Sequence, residues 1–121
     1  MSQPVVLFEP QVADIVLMKG SRYRMVIDVL CDFEPTFVNW TGAMMVRSNR
    51  SPSGNLLQDM TTLVTVDSGT SQVILDVPAD TSSAYTWDTG EYDIEMHHPS
   101  DPHRNIRVLQ GKITLNPEVT R

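Results

Sequence analysis

Four residues close together, His97, His98, Asp101 and His103, are the chain's densest group of potential metal ligands. Imidazole and carboxylate suit zinc or another transition metal. Their spacing fits no zinc pattern, and adjacent histidines in a strand-end loop diverge, so they read as a solvated hairpin loop with no metal assigned. Cys31 is the sole cysteine. No intrachain disulfide can form, and as the continuation of an apolar strand Cys31 reads as a buried, inert thiol rather than a nucleophile. Asp88, Glu91, Asp93 and Glu95 offer calcium-type oxygens. The last three alternate along one strand, which makes a solvated face, not a cage; cations across the strand, such as Arg107 or Arg24, would balance it. No serine has a nucleophile-elbow context. The chain is therefore expected to be non-enzymatic and to carry no cofactor.

What remains for function is contact. Trp40 and Trp87 both read as core, and Trp87, just before a turn, also suits an interface anchor. His97 and His98 could join it on a sandwich-end surface, which makes a host-surface or glycan-binding module one alternative reading. Leu7 and Phe8 are apolar anchors in a terminal segment bracketed by Pro4 and Pro10, fit for an edge strand or an arm docking on a neighbour.

The elements that must position these residues are strands. Gly90 to Met96 alternates without a break, with Tyr92, Ile94 and Met96 on one side and Glu91, Asp93 and Glu95 on the other. That period of two marks a half-buried strand. In Arg22 to Leu30, Tyr23, Met25, Ile27 and Val29 share a face. Tyr23, Ile27, Tyr92 and Ile94 are the expected core anchors. Ala13–Met18, Ala43–Arg47, a single strand within Leu56–Val66, Gln72–Val77 and Ile106–Leu115 complete the set. Asp67-Ser68-Gly69-Thr70 reads as a hairpin turn. Pro78 to Tyr85 suggests one or two helical turns crossing between sheets. Gly111 interrupts the last strand, predicting a bulge or bend there. Ser48 to Asn55 reads as a polar, mobile loop. About seven antiparallel strands with turns every 8–12 residues predict an all-β sandwich or barrel, with the sandwich preferred, divided as residues 1–12, an N-terminal arm or edge strand, and 13–121, a single sandwich domain.

The 121 residues suit one domain, and a 40% hydrophobic content supports a core without staples. A net charge of −6 argues against a nucleic-acid surface, although Arg47, Arg50, Arg104 and Arg107 could form a local patch. No apolar run approaches the ~20 residues of a membrane-spanning helix, and Met-Ser-Gln-Pro is unlike a signal peptide. The expectation is a chain made in a cytoplasm, with no membrane partner.

Two resemblances follow from these motifs. Asp88-Thr89-Gly90-Glu91-Tyr92 resembles the start of strand F in immunoglobulin-like sandwiches, where the Tyr makes a corner. Cys31 and Trp40 stand like that fold's first cysteine and core tryptophan, with Ile94 where a second cysteine would be and hence no bridge. Over nearly the whole chain, the order of segments resembles small virion proteins of tailed bacteriophages and the N-terminal domains of baseplate and tail-fibre proteins. It runs through Lys19-Gly20, Tyr23 to Asp32, Trp40-Thr41-Gly42, Ala43 to Arg47, Asp67 to Leu75, Thr81 to Trp87, Gly90 to Glu95 and Leu109-Gln110-Gly111-Lys112-Ile113-Thr114-Leu115, to the ending Pro117-Glu118-Val119-Thr120-Arg121. The resemblance implies a non-enzymatic tail, neck, baseplate or fibre-adaptor part of the virion, or a capsid decoration protein. Its partners would be other phage structural proteins and copies of itself.

Overall fold

The structure, a computed structural model, describes Val5–Val6 and residues 11–30, 36–51 and 53–117. Leu7, Phe8 and Cys31 lie outside the described residues. The fold is all-β: the described residues form ten strand segments in two packed sheets. They are β1 (Val5–Val6), β2 (Gln11–Val12), β3 (Ile15–Met18), β4 (Tyr23–Leu30), β5 (Thr41–Arg47), β6 (Leu56–Asp59), β7 (Val64–Asp67), β8 (Gln72–Val77), β9 (Thr89–His97) and β10 (Ile106–Asn116). One sheet runs β1-β4-β8-β7; the other runs β2-β10-β9-β5-β6, with β3 also on β10. This is the strand arrangement of an immunoglobulin-type sandwich, A-B-E-D against G-F-C-C′.

Period-two patterning places the core between the sheets. Tyr92, Ile94 and Met96 of β9 are buried with Met44 and Val46 of β5, and they meet Val73, Leu75 and Val77 of β8. Ile27 at 7% exposure, Tyr92 at 1% and Ile94 at 0% lie in this core, while Tyr23 is half-buried against it. Trp40 is buried too, with its ring set edge-on to Phe37.

In the six-stranded sheet, β9 is central because it can pair on both sides. Tyr92 stands opposite Val46 on β5 and Gly111 on β10. The sheets are joined by α1 (Ala79–Ser83), a single turn after Pro78. Its Ser82 is fully buried, accepting from Gly20 N–H at 3.1 Å and donating to Ala79 O at 3.1 Å. That ties the crossing to the β3–β4 turn, where Gly20 takes a φ of 85°.

Four details differ from the sequence reading. Not every pair is antiparallel: β1 runs parallel to β4, and β2 and β3 run parallel to β10. Leu56 to Val66 is not one strand. A 3-10 turn at Thr61–Leu63 splits it, so that β6 belongs to one sheet and β7 to the other. Just before that turn, Asp59 Oδ1 accepts from Thr61 N–H at 3.0 Å. The bulge in β10 falls between Arg107 and Leu109, not at Gly111, so Val108 and Leu109 are consecutive and both buried. Gly111 serves close approach instead, because a Cβ there would run into the Ala13 carbonyl.

Candidate functional site

The outward face of β9 carries the acids. Glu91, Asp93, Glu95 and His97 alternate with the buried residues and are half-exposed. The pairing sets what stands beside them. Glu91 lies between Arg47 and Lys112, Asp93 between Met45 and Gln110, and Glu95 between Ala43 and Arg107. Arg107 Nε lies 3.6 Å from Asp93 Oδ2 and 3.7 Å from Glu95 Oε2, and His97 Nε2 lies 3.1 Å from Glu95 Oε1. Arg107 is thus the cross-strand cation expected from sequence. Arg24 is not; it sits on the other sheet, 3.9 Å from Asp76.

Arg50 completes this surface from the loop after β5. Its guanidinium donates to the carbonyls of Tyr92 (2.8 Å) and Gly111 (3.2 Å) and lies 3.6 Å from Glu91 Oε2. One groove of ≈ 440 Å³ opens beside it, lined by Met45, Arg47, Asn49, Glu91, Asp93 and Arg107. A smaller one of ≈ 270 Å³ lies on its other side, between Val12, Asp14, Gln110 and Lys112. The sequence places Arg50 in a mobile loop and in a possible patch with Arg47, Arg104 and Arg107, of which the groove gathers Arg47, Arg50 and Arg107; turn formers on both sides mask its reach to the two carbonyls. The loop's own bonds hold it: Ser48 N–H donates to Asn55 O at 2.9 Å, and Asn49 Oδ1 accepts from Ser51 N–H at 2.9 Å.

Burial lifts the Asp93 carboxyl above its ordinary value, and neighbouring Glu95 adds to this, while Arg107, Arg50 and Arg47 oppose it. Beneath, burial pushes the Tyr92 phenol up. Its hydroxyl donates to the Ala13 carbonyl at 2.5 Å. This is not the local bond of an immunoglobulin tyrosine corner. It reaches 79 positions back along the chain and fastens the link between β2 and β3 to the core.

The chemistry available is recognition by interleaved charge. Arg47, Arg50 and Arg107 line one groove, but the three acids stand among them, so no purely basic patch results. Among the described residues no three His, Cys, Asp or Glu side chains come together as a metal site. His98 is used within the chain. Its ring packs edge-on against Trp40 at 5.2 Å, and its Nδ1 accepts from the N–H groups of Ser100 (3.1 Å) and Asp101 (2.9 Å). His103 is exposed, and its N–H donates to Asp101. Trp87 is half-buried, stacked on Tyr85 at 5.7 Å, with its Nε1 donating to Gln58 at 3.3 Å. Trp87 and the histidines therefore do not form one surface: Trp87 precedes β9 and His97 is its last residue, roughly 30 Å of extended chain away. Among the described residues no helix is long and apolar enough to cross a membrane.

No protein-family model matches this chain, and no curated protein matches it. Solved structures do match its fold. One is the N-terminal domain of ORF48 of phage TP901-1, with 9% identity, a TM-score of 0.51, and 93% of this chain aligned to 94% of that one. At that identity the likeness shows the fold alone, that of a phage-protein domain.

Proposed function

We propose that this chain is a structural part of a tailed-phage virion, a tail, neck, baseplate or fibre-adaptor component present in several copies, without a catalytic role. The observation that carries the reading is the end-to-end likeness to the phage domain, 93% of one chain against 94% of the other. Both follow one sandwich plan throughout, not over a shared fragment. The surface is consistent with this role. Its acids are held beside arginines in shallow open grooves, an arrangement suited to fitting against another protein surface. The partners on this reading are other phage structural proteins and copies of the same chain, and its place is the virion.

Mass spectrometry on purified particles, with heads and tails separated, tests this. The chain is expected with the tails, in a copy number that is a multiple of a ring symmetry. Recovery with the heads in hundreds of copies would replace the tail reading with capsid decoration. Absence from both fractions would overturn the virion reading.

A further inference from the structure

The loop that joins β9 to β10, residues 98–105, is built around one ring nitrogen. His98 Nδ1 accepts from Ser100 N–H at 3.1 Å and from Asp101 N–H at 2.9 Å. The Ser100 hydroxyl lies 3.5 Å from the same atom. His98 N–H donates to Asn105 Oδ1 at 2.9 Å, which draws the two ends of the loop together. Between them, Asp101 caps the short turn Pro102–Arg104, its Oδ1 accepting from His103 N–H at 3.0 Å. The His98 ring also stands edge-on to Trp40, which is buried at 6% exposure. One side chain therefore shapes the loop and seats it on the core.

An imidazole nitrogen that accepts hydrogen bonds carries no proton, so these bonds go with a neutral ring whose proton is on Nε2. A ring protonated on both nitrogens is a donor only. Its Nδ1–H would then meet two N–H groups, and neither can accept. Of the three groups on Nδ1 only the Ser100 hydroxyl has a lone pair to offer, at the far limit of a hydrogen bond. The charged groups around the ring are few. On β9, His97 is turned to Glu95 at 3.1 Å. In the loop itself, the Asp101 carboxylate is engaged as the cap, and His103 and Arg104 are basic and exposed. The stretch that the ring packs against, Phe37 to Trp40, has no titratable side chain.

We infer that His98 is a proton-operated latch on the β9–β10 loop. Neutral, it holds residues 98–105 closed against Trp40. Protonated, it releases the Ser100 and Asp101 amides, and the loop opens at that end of the sandwich. One proton is taken up and two hydrogen bonds are given up. Histidine is the side chain that changes charge between about pH 5 and 8, so mild acid is enough to work the latch. What it alters is a surface, because Pro99, Ser100 and residues 102–105 are all exposed. The shape that this end of the sandwich offers to a partner then depends on pH. The inference concerns the isolated chain and does not rest on the virion reading.

Nitrogen-15 NMR on the full chain, titrated from about pH 8 to about pH 5, tests it. At the upper end the His98 ring is expected with its proton on Nε2 and none on Nδ1. As the ring gains its second proton, the Ser100 and Asp101 amides and the Trp40 indole N–H are expected to shift with the same midpoint. Exchange protection at the two amides should fall by at least about tenfold, as for lost hydrogen bonds. His98→Asn sets a carbonyl oxygen where Nδ1 stands, an acceptor that does not titrate. It should keep both amides protected across the whole range. His98→Ala should leave them unprotected throughout, and His103→Gln, at an exposed ring, should leave the transition as it is. Two amides that stay protected and unshifted while His98 titrates overturn the proposal. So does a ring still unprotonated at the acid end, or a His98→Asn chain with the same transition, because another group would then be responsible.

Discussion

β9 and β3 belong to the same sheet and alternate with the same period, yet their outward sides are opposites. On β9 the outward residues are acids, and the neighbouring strands and the Arg50 loop supply cations to match. On β3 they are valine and methionine with no further described strand beside them. The central strand completes its surface within the chain; the edge strand leaves its outward side chains to solvent and turns its last carbonyl, that of Met18, onto Ser21 N–H at 3.0 Å. What separates them is position in the sheet, since a strand paired on both sides has no main-chain groups left to offer.

Tyr92 links the two regions, so the largest expected effect comes from removing it. Tyr92→Ala should cost about 3–5 kcal/mol, as for other buried aromatics, read as a large drop in melting temperature. A negligible shift would mean the ring is not holding the core. Tyr92→Phe sharpens the comparison by keeping the ring and losing only the bond to Ala13 O. It should cost about 1–3 kcal/mol, the penalty for leaving a polar partner unsatisfied, and amide exchange should quicken along β3 before β9. Equal effects on both strands would contradict the division.

The acids give a smaller contrast, read from pH. Asp93 has a folded pKa raised by burial and by Glu95. Its contribution favours folding below the unfolded value near 3.8 and is lost as pH rises through the higher folded value. Asp93→Asn should therefore gain on the parent in melting temperature between acid and neutral pH. Asp76, on the other sheet, is lowered by its hydrogen bond from Arg22, 2.6 Å away. Its contribution is present above the unfolded value and fades as pH falls through the lower folded value. Asp76→Asn should thus show a small loss at neutral pH that shrinks in acid. Matching slopes for the two variants would break the contrast. The smallest effect is Val16→Lys, within about 0.5 kcal/mol because the site is exposed.

Most of the sandwich was legible because its strands alternate cleanly. Tyr92-Asp93-Ile94-Glu95-Met96 names its own inner face, and Pro78 with the small residues after it marks the crossing helix. What escaped the sequence depends on partners far along the chain. Nothing between Leu56 and Val66 announces the turn at Thr61–Leu63, because threonines suit a strand equally well. Gly111 reads as a kink, while its actual neighbour is Ala13, 98 positions earlier. Of the candidate site, the acid ladder and Arg107 were visible as a period-two face with a cation across the strand, and Arg50 was visible as a member of a possible arginine patch. Its anchoring was not, because its partners are carbonyls of Tyr92 and Gly111, and a carbonyl leaves no mark in a sequence.

The most direct test of the whole account is amide hydrogen exchange on the chain within purified particles, compared with the free monomer. The account predicts that the chain is found there and that amides at its exposed surface are protected on assembly, while those of β9, already paired on both sides, change little. A chain missing from the particles, or an assembled chain that exchanges everywhere as fast as the free monomer, would contradict it.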